Sequence, residues 1–265
     1  VATGAGPLVV LIHGFPDFWR TWTGLIEQLR ENYRVVALDC RGYNLSDQPE
    51  GVEHYTLELL AGDVAALIAA EGAESATIVG HDWGAAIAWR FALQYPRQTD
   101  GLVVLSVPHP VLFAEQLASN PRQQAASQYA RDFQLPDSEQ RLTAEGLAGW
   151  VKSPTERELY LEAFKRSSFS AMMNYYRANY PSRPPTESTA GNAGQPSAQI
   201  DAPVLIIHGV QDTALMAEGH DGSWRHIAQD STLLMIPSAG HFVQHDAPQL
   251  VLGTIRQWID LRRPH

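Results

Sequence analysis

The chain has 265 residues, 45% of them hydrophobic, which is enough to bury a full core and allows one or two domains. Its 19 basic and 29 acidic residues leave a net charge of −10, a balance that argues against a nucleic-acid or anionic-membrane surface. No run approaches the roughly 18 apolar residues of a membrane span, and a single cysteine, Cys40, rules out an internal disulfide.

Val1-Ala2-Thr3-Gly4 has no Met and no charged leader segment, so no signal peptide is visible and the start looks trimmed. A reducing cytoplasm is the simplest compartment for such a chain. Pro7-Leu8-Val9-Val10-Leu11-Ile12 is a continuous apolar run and reads as a strand buried on both faces, as in a parallel sheet. Residues 21–30 read as a helix, and Arg34-Val35-Val36-Ala37-Leu38 is a second buried strand. It runs into a polar, glycine-containing loop from Asp39 to Asp47, where Cys40 reads as a small core residue rather than a nucleophile. From Thr56, an N-cap, Leu57, Leu60, Val64, Leu67 and Ile68 recur at helical spacing until Gly72. The next strand, from Ser75 to Val79, ends in Gly80-His81-Asp82-Trp83-Gly84, and Ala85 to Leu93 has helical character. A further strand, Leu102-Val103-Val104-Leu105, closes on Pro108-His109-Pro110.

Strands alternating with helices at this spacing indicate an α/β fold with a mostly parallel sheet. The alternation stops after Pro110. From Val111 to Gln199 no apolar strand run occurs, and the clearest helical segment is Leu159 through Arg177. Thr186 to Ser197, rich in Gly, Ser, Thr and Pro, reads as a loop returning to the main body. Strands resume with Val204-Leu205-Ile206-Ile207 and Leu233-Leu234-Met235-Ile236, and an amphipathic helix from Pro248 to Leu261 ends the pattern. The expected division is a core of residues 1–110 and 200–265 and a helical insertion, with its connecting loop, over 111–199.

Asp82 sits at the apex of a strand–turn–helix. Glycines two residues before and two after it allow a tight turn without a Cβ clash. The pattern is the nucleophile elbow, G-x-nucleophile-x-G, with the usual serine replaced by aspartate. Asp212 follows the strand at 204–207, and His241 follows the strand at 233–236. The order nucleophile, acid, histidine resembles that of α/β-hydrolases, and each residue follows a strand's C-terminal end, where open α/β sheets place their sites. A lone Asp in a turn is usually a turn or cap residue. What outweighs that reading is the joint occurrence of elbow, acid, histidine and a His13-Gly14-Phe15-Pro16 turn, each after a strand.

The backbone N–H groups of Trp83 and Phe15 are the expected oxyanion donors. His13 and His208 read as structural, and His81 as shaping the turn. His54, His109, His220, His226 and His245 have no paired metal-ligand spacing, so no metal is expected, and nothing calls for a cofactor. An aspartate is already ionised near neutrality and needs no base to attack. It can open a bond at a saturated carbon and form an ester, which leaves the histidine to activate a hydrolytic water. Suitable substrates are therefore small molecules with an electrophilic sp³ carbon, such as an epoxide or a halide.

His13-Gly14-Phe15-Pro16-Asp17-Phe18-Trp19, Asp39-x-Arg41-Gly42-Tyr43, Gly80-His81-Asp82-Trp83-Gly84-Ala85 and Gly240-His241-Phe242 together resemble the epoxide hydrolases of the α/β-hydrolase fold. The resemblance implies a helical cap carrying two tyrosines that protonate the epoxide oxygen. Tyr129-x-x-x-Phe133-Gln134-x-Pro136 resembles the segment of the first. Phe164-Lys165-Arg166-Ser167-x-Phe169, leading to Asn174-Tyr175-Tyr176-Arg177, resembles the segment of the second. By that match Tyr129 and Tyr176 are the proton donors, and Trp83, Phe15, Tyr175 and Phe242 are the expected substrate contacts. The family also has a strand hairpin before Val9, of which only the tail is recognisable.

Haloalkane dehalogenases share the Asp-Trp pair and use that tryptophan to hold halide, so a haloalkane or haloacetate dehalogenase is the alternative. Phe15 stands where those enzymes commonly carry a halide-contacting Asn. The arginine pair that fluoroacetate dehalogenases place after the nucleophile is missing as well. A ligand receptor built on a degenerate hydrolase is a third reading, disfavoured by the complete set of catalytic residue types. Monomer and homodimer are both open.

Overall fold

In the computed structural model, which describes residues 1–183 and 199–263, the apolar runs form strands β2 (Leu8–Ile12), β3 (Arg34–Leu38), β4 (Ala76–His81), β5 (Thr99–Leu105), β6 (Val204–Gly209) and β7 (Ser231–Ile236), preceded by a short β1 (Ala2–Thr3). They make one sheet in the order β1-β3-β2-β4-β5-β6-β7. β1 runs antiparallel to β3, pairing Ala2 with Val36, and every other pairing is parallel. The central register aligns Val10 with both Val36 and Ile78, so the ends of β2 and β4 lie side by side.

Alternation along these strands builds two cores. Val10, Ile12, Ile78, Leu102, Val104 and Ile206 face α2 (Leu57–Ala70) and α3 (Trp83–Gln94). Val9, Leu11, Val79, Val103 and Leu205 face α1 (Thr23–Leu29) and the C-terminal helix at Pro248–Asp260. That last helix buries Val251, Ile255, Trp258 and Ile259, the i, i+4, i+7, i+8 stripe expected of its amphipathic pattern. Each such aliphatic side chain contributes about 1.5–3 kcal/mol when fully buried.

From 110 to 183 the chain is helical, with no strand among the described residues. It forms α4 (Pro110–Ser119), α5 (Pro121–Ala126), α6 (Gln128–Asp132), α7 (Ala144–Leu147), α8 (Pro154–Arg166) and α9 (Phe169–Asn179). The stretch read as one helical segment from Leu159 to Arg177 is two helices, because the core loop at 39–47 captures the two serines between them. Ser167 Oγ accepts the Asn44 N–H (2.7 Å), and the Ser168 N–H donates to the Gly42 carbonyl (3.1 Å). Ser168 Oγ then caps α9 by accepting the Ala171 N–H at 3.1 Å. A second tie between insertion and core is the two-pronged pair of Arg20 with Glu156 on α8, at 2.8 and 2.9 Å.

After β7 come α10 (Val243–Asp246) and α11 (Pro248–Asp260). The returning loop expected at 186–197 lies outside the described residues. Among the described residues no helix is long and apolar enough to cross a membrane.

Candidate active site

The chain leaves β2 for β3 on one side and later returns to β4 on the other. The crevice at the ends of β2 and β4 is therefore the topological switch point of the sheet. Asp82 stands in that crevice with φ 51° and ψ −123°, a conformation that costs a non-glycine residue roughly 1–3 kcal/mol. The turn is held by the Ala85 and Ala86 N–H groups, which donate to the Asp82 carbonyl at 2.9 and 3.0 Å. Its glycines serve close approach. A Cβ on Gly80 would lie 2.2 Å from the Gly84 carbonyl oxygen, and one on Gly84 only 2.1 Å from that of Ile12. On Gly14 it would lie 2.4 Å from Asp82 Cβ, so the β2 loop can press against the aspartate only as glycine.

That pressing delivers the first polar contact. The Phe15 N–H donates to Asp82 Oδ1 at 2.7 Å. The other oxygen, Oδ2, lies 3.3 Å from His241 Nε2. On the far side of the ring, His241 Nδ1 lies 2.7 Å from Asp212 Oδ2. Asp212 Oδ1 in turn accepts the Ala214 and Leu215 N–H groups at 2.8 and 3.0 Å. Trp83, the second expected oxyanion donor, opens α3 directly after Asp82. The structure thus brings Asp82, Asp212, His241 and the Phe15 amide into one hydrogen-bonded line.

Burial acts against charge on each member of this line, and their mutual pairing outweighs it. Burial alone would lower the His241 pKa, but its hydrogen bonds to Asp212 and Asp82 and their charges raise it to about 10. Burial would raise both aspartates, yet the hydrogen bond and charge of His241 keep each below its usual value. The resting state is an imidazolium held between two carboxylates.

The loop carrying His241 is pinned through its backbone. Its carbonyl accepts from His81 Nε2 and from Ser106 Oγ, each at 2.9 Å. His81 therefore carries its proton on Nε2. Burial, and then the His241 charge, push its pKa down to about 3, so it stays neutral. His13 is structural as expected, with Nε2 accepting the Cys40 N–H (2.9 Å) and Nδ1 beside the Gly14 carbonyl (2.8 Å). Cys40 is buried.

Tyr129 on α6 and Tyr176 on α9 line the same cavity as Asp82. The Tyr176 ring centroid lies 5.0 Å from that of Trp83 and 6.2 Å from that of Tyr129. Burial raises both phenols well above their usual value and the charge of Asp82 adds to it, so both keep their protons at neutral pH. The cavity, which Trp83 also lines, is about 1140 Å³, larger than most small-molecule sites. Its wall continues along α3 and α4 through Ala86, Trp89, Leu93, Val111 and Leu117.

Three expected substrate contacts do not line this cavity. Tyr175 is fully buried, its hydroxyl donating to the Arg41 carbonyl at 2.7 Å; one residue from Tyr176, it is turned about 100° round the helix. Phe15 packs its ring against Phe133 and Tyr176, at 5.6 and 5.7 Å. Phe242 stacks on Trp150. Sequence reasoning also gave no role to Ser106, Asp17, Trp150 or Tyr160. Asp17 sits in the quoted His13–Trp19 stretch, but nothing in sequence announces that it is fully buried or that Tyr160, far along the chain, donates to it at 2.8 Å.

Known proteins resemble this chain in sequence and in fold. A family model described as alpha/beta hydrolase fold matches residues 7–248. The AB hydrolase superfamily protein YfhM of Bacillus subtilis is 33% identical, over 96% of this chain and 90% of its own length. Epoxide hydrolase 1 of Caenorhabditis elegans is also 33% identical, over 98% of this chain and 67% of its own length. Among solved structures, a Bacillus megaterium epoxide hydrolase in complex with an inhibitor superimposes with a TM-score of 0.90 at 31% identity, covering 98% of this chain and 95% of that one.

Proposed function

The chain belongs to the epoxide hydrolases of the α/β-hydrolase fold, and on that premise we propose that it opens an epoxide to a vicinal diol through an ester on Asp82. The observation that carries this reading is the line Phe15 N–H, Asp82, His241, Asp212, whose Asp82 shares a cavity with two protonated tyrosines. In the first step Asp82 Oδ2 attacks a ring carbon and the carbon–oxygen bond breaks. The leaving oxygen takes a proton from Tyr129 or Tyr176 within the cap formed by residues 111–199. Their place beside Asp82 in the wall of the same cavity supports their role as acids, and both are protonated at rest.

The second step is hydrolysis of the ester. His241 Nε2 takes a proton from a water whose oxygen adds to the Asp82 carboxyl carbon. Charge develops on Oδ1, where the Phe15 amide already points and the Trp83 amide is the second donor. Before this, the imidazolium of the resting state passes its proton to the tyrosinate, which leaves His241 neutral to act on the water. The tetrahedral centre then expels the diol oxygen, which takes the proton from the imidazolium, and the second water proton, left on the Asp82 carboxyl, returns to His241 and restores the resting state. The high resting pKa of His241 fits this order. Esterification removes the charge of Asp82 and with it one of the two carboxylates that hold His241 protonated. The ring becomes a competent base once there is an ester to hydrolyse.

The test is incubation with styrene oxide and, separately, with a bromoalkane. Diol release is expected, and bromide release without diol would overturn the reading. Asp82→Asn should abolish turnover. His241→Gln should accumulate a covalent adduct of substrate mass by intact-protein mass spectrometry.

A further inference from the structure

His241 stands on a loop, and a base that takes a proton from one particular water tolerates little displacement. From the sheet side the loop is fixed by the His81 and Ser106 contacts to the His241 carbonyl. On its other side the next residue, Phe242, lies flat against Trp150, with ring centroids 4.2 Å apart and planes 9° from parallel. The near-parallel planes mean that it is the face of the Trp150 ring that makes this contact. Trp150 follows α7, in the helical insertion rather than the core.

Trp150 is itself braced. Its ring meets Tyr160 of α8 edge-on at 5.2 Å, and the Tyr160 hydroxyl donates to Asp17 at 2.8 Å. Asp17 is two residues beyond Phe15, whose amide holds Asp82. A continuous run of contacts thus passes from the Phe15 loop through Asp17, Tyr160 and Trp150 to Phe242, and so to His241. The insertion grips both loops that carry the ester-hydrolysing groups, on a side of the fold that does not line the cavity.

We infer that Trp150 is a positioning residue for His241, acting through Phe242, and that it serves the ester-hydrolysis step rather than ring opening. The inference rests on the two-step reading above. Ring opening needs only Asp82 and the tyrosines, none of which Trp150 touches in the structure's ring contacts. Water activation needs His241 in register.

Single-turnover mass spectrometry with styrene oxide separates the two steps. In Trp150→Leu, ester formation should stay within about twofold of the unsubstituted protein while ester decay slows at least about tenfold, so the adduct accumulates. Trp150→Phe keeps a flat face and should restore most of the decay rate, which a merely structural role would not single out. Equal slowing of both steps, unchanged decay, or a Phe variant no better than Leu would overturn the inference. If the Leu variant loses its near-UV circular dichroism, Phe242→Leu removes the other ring of the stack and is read by the same criteria. Absence of any ester in His241→Gln would instead sink the two-step reading. An ester that forms there but decays normally in Trp150→Leu would sink the positioning role alone.

Discussion

His241 lies between two carboxylates that differ in kind. Asp212 is completely covered and spends its second oxygen on two backbone amides, so it is a fixed orienting group. Asp82 keeps some exposure and lines the cavity. This asymmetry was legible in sequence only as an order of residue types along the chain. The glycines around Asp82 were readable as a motif, and the structure gives their reason as backbone contacts too close for any Cβ. Gly84→Ala should therefore cost at least about 3 kcal/mol, or prevent folding, because the Ile12 carbonyl it would meet is backbone in the central strand. Urea denaturation of the variant measures it. Asp17 was not legible, and His81 was readable only as shaping the turn, since each acts through a partner more than a hundred residues away that no local pattern encodes.

At the scale of elements, the strands were readable because both faces of a parallel sheet must be apolar, and the runs at 8–12, 34–38 and 204–207 have no polar alternation. The insertion was readable only as helical. Its internal break at Ser167 and Ser168 escaped because the 3.6-residue period continues across it, while the serines are drawn off by the loop at 39–47. Ser168 is the residue that starts α9, the helix bearing Tyr176. Ser168→Ala should lose about 1 kcal/mol, the usual worth of an N-cap, with an unchanged urea m-value. A loss near zero would mean that the Ser168–Gly42 backbone bond alone sets the helix start.

For the whole molecule, two buried groups make stability fall as pH rises. Burial lifts the Asp17 pKa from 3.8 to about 7, against the pull of the Phe18 amide and the Tyr160 hydroxyl. The folded protein therefore holds a proton that the unfolded chain releases, and that stability is present below about pH 4 and lost as pH rises through 7. His241 is raised from 6.5 to about 10, so its contribution is complete below pH 6.5 and lost as pH rises through 10. Asp82 and Asp212, both lowered, contribute above 3.8 and lose that contribution as pH falls. Burial also lowers His81 and His220 to about 3 and His245 to about 4, and lowers His13 and His208, so the unfolded chain takes up protons there that the folded protein refuses, and stability is lost as pH falls below 6.5. The five histidines outweigh the one Asp17, and the thermal midpoint should rise from acid pH, crest at about pH 6.5–7 and decline toward pH 10. Asp17→Asn should steepen the rise between pH 4 and 7, and a midpoint that keeps climbing from pH 7 to 9 would contradict this. On the proposed path ester hydrolysis needs a neutral His241 and is favoured on the alkaline side of that crest.

The Phe15 amide holds Oδ1 and leaves Oδ2 beside His241, and that choice decides where matter goes on the proposed path. Oδ2 departs with the diol, and the oxygen of the hydrolytic water takes its place in the carboxylate. Each product molecule then carries away an atom that belonged to the polypeptide. Solvent oxygen reaches the product one cycle late, after a term as part of Asp82.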